Sequence, residues 1–434
     1  MVIAIRREDK SIWERRAPLI PEDVKDIIQN LKLKVIVQAS DIRIFSNKEY
    51  EEIGAIISEN LEKADIILGV KEIPPEKIIP DKTYVFFAHV IKGQKHNMAM
   101  LKKLLELRCT LIDYERVIDE NGRRLIFFGK YAGYAGLVET IHAFGKKLSL
   151  NNILTPFNKI KQPFEYSNIQ EAKDSLHSVG EEISKNGIPD FLLPLTVGFA
   201  GYGNVSKGAQ EFFEILPHLE VSPSDLISNY ESLKKENKRL VKIVFKEIDT
   251  VQRFNGDFDL NEYFEKPHLY HSIFDEYIPK LKILLNCILW KENNPRLITK
   301  EYLKNNYRYI DKFFVIGDIS CDINGAIEIT HKATQPDMPC YTYYPDRDFF
   351  IDGVQKDGIT NMAVDNLPCE FARESSIEFS HVLKNFIPQL IKNNFDKDFE
   401  QINLPYPLKK AIILHKGQLT KEYKYLEKYL GEEK

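Results

Sequence analysis

The feature that most constrains this chain is an alternation running through its first third. Short apolar runs, VIAI (2–5), KVIVQ (34–38), ADIILGV (64–70), YVFFAHV (84–90) and CTLIDYE (109–115), are separated by stretches with helical spacing, PEDVKDIIQNLKL and NMAMLKKLLELR. Runs this brief and this rich in Val and Ile fit strands buried on both faces, the environment of a parallel sheet. Strand and helix in turn predict an open α/β domain.

A helical stretch, YAGYAGLVETIHAFGKKLSLNN (131–152), leads to a second series. There FLLPLTVGFA runs into a glycine turn and then a helix, and KIVFKEI (242–248), KILLNCIL (282–289) and KFFVIGDIS (312–320) supply further strands. SPSDLISNYESLKKENKRL reads as a polar surface insertion with a solvated helix, and SSIEFSHVLKNFIPQLIKN as a helix that packs back on the first domain. The expectation is an α/β chain of two Rossmann-like open parallel-sheet domains with a cleft between them. Residues 1–135 with 375–434 form one domain, and 136–374 the other.

Composition narrows the function classes. A net charge of −4 over 434 residues offers no basic surface for a phosphate backbone, so nucleic acid is not an expected partner. Five cysteines, odd in number and without CxxC spacing, predict neither a disulfide framework nor a zinc site, and no metal is expected. MVIAI is too short for a signal peptide and no run reaches membrane-spanning length, which predicts no membrane partner. The expected location is cytoplasmic, or the mitochondrial matrix if a presequence has been removed.

In GFAGYGNVSKGA, Gly201 and Gly203 make a GxG turn between strand and helix, with Ser206 at the place of the third glycine. A bare GxG is often only a tight turn, but here it opens a helix whose free N–H groups attract a pyrophosphate. The next strand ends in FKEID, where Lys246 stands beside Glu247, so the charge leaves NAD against NADP open. Lys246 or Arg253 could pair with a 2′-phosphate.

In RREDKSIWERRAPL, Arg6, Arg7 and Arg15 read as a solvated helix start, whereas Arg16 could hold a substrate carboxylate as a bidentate fork. Arg123 and Arg124 offer a second anion site. A histidine in an apolar run is commonly a core residue, but His89 and Lys71 both close apolar strands. Carboxyl ends of neighbouring parallel strands share one sheet edge, so Lys71, His89 and Glu115 can converge there. Lysine beside apolar walls loses ammonium solvation, and histidine as a residue type titrates near neutrality, so such a pair suits proton transfer in both directions.

The words RRED, WERRAPL, GVKEIPPEK, KTYVFFAHVIKGQ, LIDYE, GRRLIFFGKYAGYAG, GNVSKGAQEFF, LLNCILWKENNPRLIT, GDISCDINGAIE, VDNLP and ILHKGQLTKEYKYL run in order from residue 6 to the C-terminus. In these the chain resembles the lysine-ketoglutarate reductase domain of aminoadipic semialdehyde synthase. That family is related to the lysine-forming saccharopine dehydrogenases and shares its architecture with alanine dehydrogenase and transhydrogenase. The resemblance implies reductive condensation of L-lysine and 2-oxoglutarate to saccharopine. Lys71 would be the base on the substrate amine and His89 the proton donor and acceptor, with Glu72 and Glu115 as supporting acids. Arg16, Gln94, Arg124, Phe128, Asp318, Ile319 and Ser320 match substrate-binding positions. Arg123, Gly201, Gly203, Asn204, Val205, Ser206, Leu289, Gly317, Val364, Asp365, Asn366 and Leu367 match cofactor contacts, although some relatives carry tyrosine where Leu289 stands. WERRAPL, NVSKGAQ and the LHKGQLTKEYKY tail belong to the animal and plant branch, which implies NADP(H) rather than NAD(H). In that branch the domain usually precedes a glutamate-forming saccharopine dehydrogenase domain, a possible functional partner. NAD-dependent, lysine-forming chemistry and a non-catalytic regulatory homologue are the other readings.

Overall fold

The computed structural model describes residues 1–431. The chain forms two compact units, Met1–Phe128 with Ala372–Lys434, and Gly129–Phe371.

In the first unit six strands lie parallel: β1 (Val2–Ile5), β2 (Lys34–Val37), β3 (Ile56–Ile57), β4 (Ile66–Leu68), β5 (Thr83–Phe86) and β6 (Thr110–Asp113). Their spatial order is β3-β2-β1-β4-β5-β6, the doubly wound order in which the chain reverses direction across the sheet beside β1. Strands Ile412–His415 and Gln418–Leu419 extend the sheet antiparallel beyond β6. All residues of β4, β5 and β6 are buried, as their unbroken apolar runs require. The helix Ala372–Lys384 is tied in by Ser376 and Ser380, whose hydroxyls accept from the Ala17 and Ile20 N–H groups at 3.0 and 2.9 Å. The helical run expected over SSIEFSHVLKNFIPQLIKN breaks after Lys384 and restarts as Ile387–Ile391 with Pro388 in its first turn, where a missing N–H is tolerated.

The second unit carries β7 (Thr196–Ala200), β8 (His218–Val221), β9 (Leu240–Phe245), a small hairpin of β10 (Val251–Arg253) and β11 (Tyr270–Ser272), β12 (Ile283–Asn286), β13 (Val315–Asp318), β14 (Cys340–Tyr344), β15 (Phe349–Asp352) and β16 (Ile359–Met362). Its main sheet runs β8-β9-β7-β12-β13-β16-β14-β15, parallel from β8 to β16 and antiparallel beyond. The helix Gly129–Leu150 packs on Asn204–Phe213 backbone to backbone. A Cβ at Gly133 would strike the Val205 carbonyl, and one at Gly208 the Lys130 carbonyl.

Two expectations change here. The polar insertion is largely exposed, but it folds as two short helices, Pro223–Ser228 and Tyr230–Leu233, with Leu226 and Leu233 buried in the core beside β9. RREDKS is not a helix start, and Arg6 is 5% exposed, bound to Asp9 and within ion-pair reach of Glu8. No helix among the described residues is long and apolar enough to cross a membrane. All five cysteines are unpaired.

Candidate active site

Lys71 follows β4 by three residues, His89 follows β5 by three and Glu115 follows β6 by two, so all three lie at the carboxyl edge of adjacent strands. The turn carrying Lys71 is fastened to the end of neighbouring β1. Glu8, 6% exposed, accepts from the Val70 N–H at 2.8 Å and the Lys71 N–H at 2.9 Å. Burial lifts the Glu8 carboxyl to about 7, against the opposing pull of Arg6 and those two N–H groups. The Lys71 ammonium is held below the ordinary lysine range, first by burial and then by the positive charges of Arg16 and Lys10, with Glu72 and Glu14 opposing. A lysine so placed keeps more of its amine neutral than a surface lysine does, which is the state a base needs.

The YVFFAHV run is strand only as far as Phe86; His89 lies beyond it at φ 48°, a left-handed conformation uncommon for a non-glycine residue. Asn97 fixes this turn by donating from Nδ2 to the His89 carbonyl at 3.0 Å. The ring stacks on Phe87 and its Nδ1 lies 2.6 Å from Glu72 Oε1. Burial would raise the Glu72 carboxyl, but the His89 hydrogen bond and the charges of His89, Lys10 and Lys71 overcome it and hold the group well below the usual carboxylate range. An ionised Glu72 can only accept, so Nδ1 carries the proton and Nε2 is the nitrogen that Glu72 leaves unengaged.

Arg16 differs from the open fork expected of it. It is 2% exposed, with Nε 2.7 Å from Glu14 Oε1 and Nη2 2.5 Å from Glu14 Oε2, and its guanidinium lies over the Phe128 ring at 4.2 Å. The edge formed by Nε and Nη2 is therefore occupied by a residue of the chain itself. Phe128 stacks in turn on Phe379, with ring centroids 4.6 Å apart. The Glu115 carboxylate pairs with Arg124. Gln94 precedes the helix Lys95–Glu106 and accepts from the Lys92 N–H, and Arg123 is exposed on the turn before Arg124. Glu8, Glu14, Lys10 and Asn97 are the contributors that reasoning from sequence passed over; the first three lie in words already singled out for their arginines.

In the second unit Gly201 adopts φ +97°, which any side chain would strain, and nothing lies within 4 Å of a Cβ built on Gly203. The first helical bond is from the Lys207 N–H to the Gly203 carbonyl, so the preceding N–H groups of Asn204, Val205 and Ser206 lie at the open helix start. This cradle fits a dinucleotide pyrophosphate. The Ser206 side chain faces inward, accepting from Gln210 Nε2 at 2.9 Å, and takes the packing role of the missing third glycine. Leu289, Asp365 and Asn366 are accessible, whereas Val364 and Leu367 are buried. Gly317 is also enclosed, since a Cβ there would strike Thr140 and Leu285. Asp318 at the end of β13 is fully engaged by Asn286, Thr330 and the Cys321 N–H, and burial lifts it to about 6 against those bonds. Ile319 is buried and Ser320 donates to the Ile288 carbonyl at 2.6 Å.

Family models for the N-terminal and C-terminal domains of alanine dehydrogenase/PNT match residues 4–135 and 262–422. Alpha-aminoadipic semialdehyde synthase of Arabidopsis thaliana is 37% identical over 98% of this chain and 41% of its own length. The mitochondrial enzyme of that name from Bos taurus is 36% identical over 98% of this chain and 48% of its own. The chain thus spans less than half the length of these relatives. Saccharopine dehydrogenase [NAD(+), L-lysine-forming] of Emericella nidulans is 26% identical over 89% of this chain and 92% of its own. Among solved structures, L-alanine dehydrogenase matches with a TM-score of 0.65 at 15% identity, covering 99% of this chain and 100% of its own. The Sinorhizobium meliloti transhydrogenase matches at 0.59 and 15%, covering 97% and 100%. The two Rossmann-like sheets share that fold, and the chain belongs to the alanine dehydrogenase/PNT family, with similarity over nearly its whole length to alpha-aminoadipic semialdehyde synthase.

Proposed function

We propose that this chain condenses L-lysine with 2-oxoglutarate and reduces the product to saccharopine at the expense of NADPH. The observation that carries this reading is the half-buried Lys71 amine, held below the ordinary lysine range, at the same sheet edge as the His89 and Glu72 pair. Attack by the substrate amine requires its neutral form, and Lys71 takes up the proton. Loss of water from the carbinolamine requires a proton at the departing hydroxyl, and His89 supplies it from Nε2 while Glu72 holds the opposite nitrogen. The buried Arg16 and Glu14 pair, with its guanidinium over the half-buried Phe128 ring, lies close enough to Lys71 for its charges to act on it, and the half-exposed Arg124, paired with Glu115, would offer its remaining N–H groups to a substrate carboxylate. The nicotinamide, when bound, supplies the hydride. Gly201, Gly203 and the start of the helix Asn204–Phe213 would hold its pyrophosphate.

The same site can serve the reverse reaction, release of lysine from saccharopine with NAD. Near full-length similarity to the fungal lysine-forming enzymes favours keeping this second reading. The product would pass to a glutamate-forming saccharopine dehydrogenase, a role open to the part of the longer relatives that lies outside the match. Purified protein given lysine, 2-oxoglutarate and NADPH should oxidise the cofactor, and omission of either substrate should stop it. Absence of oxidation with both NADPH and NADH would overturn the catalytic reading, and a strong preference for NADH would overturn the NADPH assignment.

A further inference from the structure

The residue that reads the cofactor's ribose can be located within the second unit alone. β9 is the direct neighbour of β7, with Ala200 opposite Phe245, and the Gly201 N–H donates to the Phe245 carbonyl at 2.9 Å. The residue after Phe245 therefore stands beside the glycine turn, where dinucleotide folds place the side chain that meets the adenosine ribose. That residue is Lys246, exposed and without an ion-pair partner among the described residues.

Of the other charged groups around this loop, Arg253, Asp249 and Glu247 have partners, and Lys207 is exposed on the helix that follows the glycine turn. Arg253, the competing cation, is locked to Glu262 by Nε to Oε2 at 2.7 Å and Nη2 to Oε1 at 3.1 Å. The Asp249 carboxylate turns back to accept the Lys246 N–H at 2.9 Å, and Glu247 is hydrogen-bonded by the Tyr202 hydroxyl. An acid at the strand end would accept from the ribose hydroxyls and repel a 2′-phosphate; an ammonium does the opposite.

We infer that Lys246 is the specificity residue for the cofactor, its ammonium pairing with the 2′-phosphate of NADPH, whereas Arg253 braces the β10-β11 hairpin and takes no part. This rests on the nucleotide-binding half of the proposed function and is independent of the lysine chemistry. The test is fluorescence titration of the whole chain with NADPH and with NADH, in the absence of lysine and 2-oxoglutarate. Lys246→Ala should raise the Kd for NADPH about tenfold and leave that for NADH within about twofold, and Lys246→Arg should restore NADPH binding. The NADPH Kd of the parent should also weaken more steeply with added salt than the NADH Kd. Equal weakening of both cofactors, no change in either, or a parent that already prefers NADH would overturn the assignment. Selective loss of NADPH binding in a protein that fails to form saccharopine would leave this inference standing while the proposed reaction fell.

Discussion

His89 Nδ1 and Glu72 Oε1 lie 2.6 Å apart, joining the ends of two neighbouring strands through an ionised carboxylate and a ring held in one tautomer. Glu72→Gln keeps the shape but offers an amide that can donate as well as accept, so the ring is no longer fixed with Nε2 free. Turnover should fall by about 10- to 100-fold with little change in the KM for NADPH. Steady-state kinetics with each substrate varied in turn measure both quantities.

Lys71 supplies a second, signed prediction through the pH dependence of kcat/KM. The rate should rise with pH as Lys71 loses its proton and level off below the ordinary lysine range, because burial and the Arg16 and Lys10 charges depress its pKa. Removing a depressing cation with Lys10→Ala should move that limb to higher pH. Removing the supporting anion with Glu72→Gln should move it to lower pH. Lys71→Met should lower kcat by about a hundredfold or more with cofactor affinity retained. Two limbs moving in the same direction would show that Lys71 is not the titrating group.

The sheet edge was legible because its signal is local. Each of β4, β5 and β6 is an apolar run that stops at a polar word, and parallel strands put such stops together. What lay beyond reach was decided by neighbours distant in sequence. Glu8 and Arg6 look solvent-exposed in RRED, yet β1 lies beside β4 and its following loop is buried under the Lys71 turn. The same holds for Glu14, whose pairing with Arg16 leaves no periodic trace. The apolar run through His89 hid the end of the strand, since a positive φ has no signature in side-chain polarity. In the second unit the glycine turn was readable from its spacing, whereas the inward side chain of Ser206 and the enclosed Gly317 depend on packing against other segments.

The buried Arg16 and Glu14 pair predicts a stability effect separable from catalysis. Arg16→Met leaves Glu14 buried at 1% exposure without its bidentate partner, at a cost of about 3 to 5 kcal/mol. Adding Glu14→Gln should recover most of that loss, because a neutral amide has no buried charge to compensate. Urea unfolding of the single and double variants measures the recovery. Full parental stability in Arg16→Met, with the KM for lysine or 2-oxoglutarate raised, would instead favour a role in holding substrate.

Glu139, fully buried on the helix Gly129–Leu150, accepts from Gln162 Nε2 at 3.2 Å and lies beside the buried Glu370, and burial lifts its carboxyl to about 7. Glu370 is also raised, first by its own burial and then by the proximity of Glu139. A carboxyl whose folded value lies above the unfolded value of about 4.5 stays protonated in the native chain while the unfolded chain has already released its proton. Below pH 4.5 its contribution is therefore fully present, and it is lost as pH rises through about 7. Glu139→Gln removes this proton from the balance and keeps an acceptor oxygen for Gln162. The variant should be more stable than the parent by about 1 to 3 kcal/mol at pH 8, with the gain shrinking toward pH 5. Urea midpoints at the two pH values give the sign directly, and a gain independent of pH would mean that Glu139 is already ionised in the folded chain.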